Sequence, residues 1–359
     1  MYKPEIDGLR ALSIISVVTC HLDFAWARVG YLGVDVFFVI SGFLIVGGIV
    51  DEVHAGESKA KLHFNFRSFY FRRVRRIIPV ALSVQLFVLL YSYFTNNSLA
   101  FKSITQDFKW STIFLANFHF AQKETNYFQA GLSPSPLLHT WSLSIEEQFY
   151  VLFPIILLLL LILFARVCAN FSWKTPLRSQ VLTLLFSLSL ISFLYDLHIM
   201  NFDPIGGYYS SMARFWEITL GGIVYIFYSS RNSTKKLRYI SIVATISLCL
   251  LFIVLWNMEN LAVLKQLGVV IPVSVYLLFM ANLNKISWFL KLKSLTFLGK
   301  ISYSVYLWHW PIFIWVREYA FSRVIEIFVS LSVTVVLSIL TWRFVETPFR
   351  KILVPKKWT

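Results

Sequence analysis

Apolar stretches of transmembrane length recur along almost the whole 359-residue chain, and a segment that crosses about 30 Å of hydrocarbon has to satisfy its own backbone as a helix or a closed barrel. The stretches are continuous rather than alternating, so the helix is chosen. Spans are predicted at about 9–27, 31–50, 77–94, 149–165, 181–199, 214–229, 239–256, 266–281, 301–316 and 324–343. The expected fold is all-α: a polytopic transmembrane bundle of about ten helices forming a single domain over 1–359. Only 14% of the residues are charged, against roughly 25% in ordinary soluble domains, which excludes a second soluble domain of useful size. The first span lacks a small-residue cleavage site and is expected to be retained.

A net charge of +15 would suit a nucleic-acid binder, but the positions of the basic residues speak for a membrane. With the N-terminus inside, 25 of the 33 lysines and arginines fall on the inner side. That bias predicts cytoplasmic termini and accounts for the charge without nucleic acid. The three cysteines, Cys20, Cys168 and Cys249, show no metal or disulfide spacing and read as packing residues. The longest outer loop, about 95–148, holds Pro134, Pro136 and an aromatic stretch from Phe114 to Phe128, predicted to form a short interfacial helix over an outward-opening site.

Ionisable side chains inside spans are costly and are usually paired or functional. Arg10 and His21 lie eleven residues apart on the first span, which sets them on one helix face about 16 Å apart along the axis. Asp35, at a similar depth on the antiparallel second span, is expected to pair with His21 and raise its basicity as a general base. Arg72, Arg73, Arg75 and Arg76 crowd the start of the third span, where Arg73 and Arg76 project to one side and suit a polyanion, with anionic lipid headgroups as the alternative. Ser144 and Glu147 have capping-box spacing, predicting a helix start at Ser144 that leaves His139 out of line with Glu146. Glu146 suits acid–base work or sugar hydroxyls. Tyr306 and His309 are i, i+3 neighbours in the ninth span, with His309 between two tryptophans, and Arg214 with Glu217 reads as a structural ion pair.

Five strings in this order carry a resemblance: Arg10 with His21, Gly33 to Phe43 (GVDVFFVISGF), Arg72 to Pro79, Trp141 to Tyr150 (WSLSIEEQFY) and Tyr306 to Pro311 (YLWHWP). Together they resemble the acyltransferase-3 family of integral-membrane O-acyltransferases over nearly the whole chain. The resemblance implies an acyl-CoA donor, usually acetyl-CoA, at the cytoplasmic face, and an acceptor hydroxyl on a surface glycan such as lipopolysaccharide O-antigen or peptidoglycan. It implies a multi-pass protein of a bacterial inner membrane that needs no metal. By motif position Arg10 and His21 match the family's Arg–His pair, and Arg73 with Arg76 its paired arginines. The expected site comprises His21, Asp35, Glu146 and His309 for the chemistry, Arg10, Arg72, Arg73 and Arg76 for the donor phosphates, and Ser41, Trp141, Ser142, Tyr306 and Trp308 toward the acceptor. The strings most resemble the branch that carries an SGNH-type domain after the membrane region, whereas only nine residues follow Arg350 here. Either the chain works alone, or a separate extracytoplasmic protein completes the transfer, or the sequence is part of a longer protein. A transporter or export component is the alternative from another functional class.

Overall fold

The computed structural model describes residues 3–57, 64–95, 98–130, 134–170, 176–230, 246–247, 249–251, 262–280 and 288–352. Among them the regular structure is helical throughout: α1 (Pro4–His21), α2 (Gly33–Glu57), α3 (Phe66–Thr95), α4 (Ser98–Thr112), α5 (Ala116–Ala130), α6 (Thr140–Asn170), α7 (Leu177–Phe202), α8 (Pro204–Tyr209), α9 (Ser211–Ser230), α10 (Ala262–Phe279), α11 (Lys293–Glu318), α12 (Arg323–Thr341) and α13 (Thr347–Lys351). Helices stand at nine of the ten predicted spans. The tenth, 239–256, lies mostly outside the described residues.

Among the described residues, five stretches are long and apolar enough to cross a membrane: Gly30–Val53, Phe66–Thr95, Thr140–Leu163, Leu177–Phe202 and Arg323–Lys351. Helices α1, α9 and α11 fall outside that set because polar groups interrupt them, and those groups face inward. Arg214 is 2% exposed and Glu217 and His309 are fully buried, whereas Leu90 on α3 and Phe328 on α12 are 58% and 71% exposed. A polar interior inside an apolar exterior is the arrangement of a bundle solvated by lipid.

Lipid tails are as apolar as leucine, so membrane helices associate through close packing, which small residues permit. Helices α2 and α9 pack along their lengths. A Cβ on Gly42 would stand 1.7 Å from the Ile218 carbonyl oxygen, and one on Gly221 would stand 2.1 Å from that of Val39. Helix α1 lies against α11 and α2, and α12 covers the outer side of α11. The chain returns from α12 through a π turn, Trp342–Glu346, that buries Glu346 against Ser304 of α11, 3.2 Å away.

The outer loop departs from the expectation of one short helix. It folds into two, α4 and α5, joined at Phe114, which takes a left-handed φ of 56°. Asn117 pins α5 by donating to the Tyr209 carbonyl and to Ser211, and Gln148 of α6 donates to the Phe114 carbonyl. Helix α6 begins at Thr140 rather than at Ser144. Ser144 therefore sits inside the helix, where its hydroxyl donates to the Thr140 carbonyl, and the predicted capping box with Glu147 is absent.

Candidate active site

Helices α1, α2, α3, α6 and α11 surround three cavities that follow one another. The widest, about 880 Å³, is bordered by Lys3, Arg10, Arg76, Lys300, Arg350 and Lys351. It shares Arg10, Leu44 and Arg76 with a middle cavity of about 90 Å³, also lined by Ser41, Arg73, Ser142, Glu146 and Tyr306. Val34 and Tyr306 in turn border a third cavity of about 100 Å³, walled by His21, Tyr31, His139, Trp141, Tyr208 and Trp310. Arg10, in the second turn of α1, and His21, at its end, thus border successive cavities, as their spacing predicts.

Arg10, Arg73 and Arg76 make no hydrogen bond or ion pair with any described residue, and the buried Nε of Arg73 has no partner. Glu146 is the carboxylate in the middle cavity, and it accepts from the hydroxyls of Ser41 and Tyr150. Three part-buried guanidinium groups without a direct ion pair, with Glu146 engaged by hydroxyls and Asp7 and Asp51 on the wall of the wide cavity, offer donors that a ligand anion would use. Arg72, expected among the donor residues, turns elsewhere: it lies 3.5 Å from Glu52 and donates to Ser68. A carboxylate one turn before the end of α2 has claimed it.

At the far end His21 Nδ1 and His309 Nε2 stand 3.0 Å apart. The protons follow from their neighbours. His309 Nδ1 lies 2.6 Å from the Tyr306 carbonyl oxygen and 3.2 Å from that of Val305, and a carbonyl only accepts, so this nitrogen carries a proton. Nε2 of a neutral His309 is then the acceptor, His21 Nδ1 donates to it, and His21 Nε2 holds the free lone pair. His21 is clamped from outside by Arg317, which donates to its carbonyl at 2.6 Å and pairs with Asp23. Because Arg317 belongs to α11, the clamp ties both histidines to one helix pair.

The expected partnership of Asp35 with His21 does not form. Depth was matched, but rotation about α2 turns Asp35 toward α9, where Arg214 lies 3.4 Å away and also pairs with Glu217 at 2.9 Å, the ion pair read from the sequence. Trp308 is also displaced from its expected role: it points toward α12 and donates to Thr341, clear of the cavities. Trp310 takes the place, edge-on to the His21 ring at 4.7 Å, with its N–H held by the Ser135 carbonyl. Trp141 lines the third cavity and Ser41 the middle one, while Ser142 is 2.6 Å from the Tyr306 hydroxyl, which itself donates to the His139 carbonyl. His139, missed as a site residue, and the tyrosines at 31 and 208 complete the aromatic wall.

Residues 3–343 match the model of the acyltransferase domain family. The chain is 31% identical to the peptidoglycan O-acetyltransferase OatA of Listeria monocytogenes and 29% identical to the O-acetyltransferase OatA of Staphylococcus aureus. Each match covers 98% of this chain and 56% or 57% of the relative, so the chain spans a little over half the length of these proteins. No solved structure matches. A helical bundle with an arginine-lined path ending at a histidine pair, and a family match over almost its whole length, place this chain in the acyltransferase-3 family.

Proposed function

We propose that the chain is an O-acetyltransferase that moves an acetyl group from acetyl-CoA, held at the arginine end, to a glycan hydroxyl presented beside His21. The observation that carries this reading is the succession of three cavities, each sharing lining residues with the next, from the arginines to His21. Charge bias favours the arginine end as cytoplasmic, with both termini on that side and about ten crossings of a bacterial inner membrane.

Phosphate groups suit the wide cavity, where planar guanidinium groups offer paired donors and lysines add charge. The middle cavity is narrow and mostly apolar, with Val34, Phe37, Phe38 and Ile40 on its walls, which fits an extended pantetheine arm. Eleven residues of helix separate Arg10 from His21, about 16 Å, so a thioester at the end of that arm reaches the third cavity. There the lone pair on His21 Nε2 takes the hydroxyl proton as the oxygen attacks. Aromatic faces of Trp141, Tyr208 and Trp310 suit a sugar ring. Between lipopolysaccharide O-antigen and peptidoglycan, the name of the Listeria relative favours peptidoglycan.

Purified protein in nanodiscs, given labelled acetyl-CoA and soluble glycan fragments, is expected to transfer label. His21→Ala should abolish transfer while binding acetyl-CoA normally. Arg73→Ala should instead weaken donor binding by roughly 10- to 100-fold, the worth of a charge-assisted contact of about 1.5–3 kcal/mol. Normal transfer by His21→Ala at equal protein would remove the histidine from the reaction.

A further inference from the structure

His139 stands immediately before α6 and is 4% exposed, yet neither of its ring nitrogens meets hydrogen-bond geometry with a described residue, the Leu307 backbone being the group that draws on the ring. An imidazole buried without partners is costly, and such groups in native proteins ordinarily find one. Its ring borders the third cavity, 5.5 Å from the Tyr306 ring and 5.7 Å from the His309 ring, measured between centroids. Three neighbouring donors are committed elsewhere, which leaves the Tyr31 and Tyr208 hydroxyls beside it. Trp310 donates to the Ser135 carbonyl, Tyr306 to the His139 carbonyl, and His21 Nδ1 to His309. Within about 100 Å³, His139 is the imidazole outside the His21–His309 pair, and it stands with the Tyr31 and Tyr208 hydroxyls to meet whatever enters.

Building on the acyltransferase reading, we propose that His139 is a second catalytic residue, whose ring N–H donates to the acyl carbonyl oxygen as that oxygen becomes negative. Its position supports the assignment. Tyr306 is common to the middle and third cavities, so a thioester arriving along the path passes Tyr306 and meets His139 beside it. His21 borders the same cavity and, with its lone pair, serves the hydroxyl. The two imidazoles then divide the work: one accepts a proton and the other donates a hydrogen bond.

In the step, the acceptor oxygen forms a bond to the thioester carbonyl carbon and its proton passes to His21 Nε2. The carbonyl π pair moves onto oxygen, where the His139 N–H holds it. Collapse restores the carbonyl and breaks the carbon–sulfur bond. The departing thiolate takes the proton from His21, so the ester and the thiol leave with the enzyme unchanged. A donor fixed in advance at a developing oxyanion, in a site shielded from water, acts mainly on the transition state.

The test compares wild type, His139→Phe and His139→Gln in the same nanodisc assay. His139→Phe should lose about 10²- to 10³-fold in kcat, with KM for acetyl-CoA and for the glycan within threefold of wild type. His139→Gln, which keeps an N–H, should recover part of the loss. A CoA analogue with a phosphonate in place of the acetyl group mimics the tetrahedral oxyanion, and its preference over acetyl-CoA should disappear in His139→Phe. Should that variant not fold, the ¹⁵N shift of His139 in wild type must move when the analogue binds. A kcat within threefold of wild type for His139→Phe, or a His139 signal unmoved by the analogue, overturns the assignment while wild-type transfer still stands. Absence of transfer by the wild type overturns the reading beneath it.

Discussion

The chemistry of His21 depends on a proton it does not own. Two backbone carbonyls of α11 fix the His309 tautomer, and His309 fixes that of His21. Replacing His309 with phenylalanine keeps a ring of similar size but removes the acceptor for His21 Nδ1–H. The His21 proton is then free to sit on Nε2, where it blocks the lone pair. The expected outcome for His309→Phe is a fall in kcat of about 100-fold or more, with donor affinity unchanged, because wrong-tautomer losses of this kind reach about 10⁴-fold in hydrolases. Equal losses in kcat and donor affinity would assign His309 to packing. Much at this scale was readable from spacing. Arg10 and His21 fall on one face after eleven residues, and Arg214 pairs with Glu217 at i, i+3. The same rule separates the two tryptophans beside His309: Trp310 is four residues from Tyr306 and shares its face, while Trp308 is two residues away and points to the far side. Asp35 was less legible, because counting residues gives depth along α2 but not the rotation that aims its carboxylate at Arg214.

Helices α4 and α5 form a pair attached to the bundle by polar contacts. Between them the fully buried Asp107 accepts from His119 at 2.7 Å and from Lys123 at 2.6 Å. Burial pushes the Asp107 carboxyl up, but His119 and Lys123 outweigh it and the net shift is downward. A carboxylate with a depressed value contributes stability that is complete above its unfolded value, about 3.9, and is lost as pH falls through the folded one. The pair should therefore hold at pH 5 and loosen only in stronger acid. Asp107→Asn removes the charge at every pH and strands a partly buried lysine, a loss of about 1–3 kcal/mol. Limited proteolysis at pH 7 is expected to cut the α4–α5 region of that variant faster than in wild type. Equal cutting rates at pH 7 would show that other contacts hold the pair. This element was poorly legible in sequence. Its two helices carry too few apolar residues to announce themselves, and the pairing that joins them depends on a reversal at Phe114 in a left-handed backbone conformation. The long apolar helices α2, α3, α6, α7 and α12 coincide with predicted spans because lipid requires continuous hydrophobicity of them. Helix α1 was found from the same pattern even though Glu5, Asp7 and Arg10 interrupt its first turns.

At the scale of the molecule, the proposed reading assigns the two substrates to opposite ends of the path. Basic residues concentrate at the end of the path that holds Arg10, Arg76, Lys300, Arg350 and Lys351, and α4 and α5 attach beside Thr140 and Tyr209, next to the end that holds His21 and His139. The bias of lysine and arginine makes the first end cytoplasmic in our reading, so donor and acceptor approach from opposite faces. The narrow middle section separates them, and Arg73, Arg76 and Glu146 along it would oppose free passage of a bulky glycan. In sealed proteoliposomes of known protein orientation, acetyl-CoA is expected to support reaction only from the face bearing Arg73 and Arg76. A membrane-impermeant glycan fragment should be acetylated only from the other face. Lowering the salt concentration should tighten donor binding, since several exposed cations at the wide cavity attract CoA phosphates and are screened beyond about 10 Å at 0.1 M salt. The glycan side should respond less, because its wall is aromatic. Acetylation of the impermeant glycan when both substrates are supplied only on the arginine face would refute separate entry. His21 would then have to serve a site opening to the same side as the arginines, and the path through the middle cavity would need another purpose.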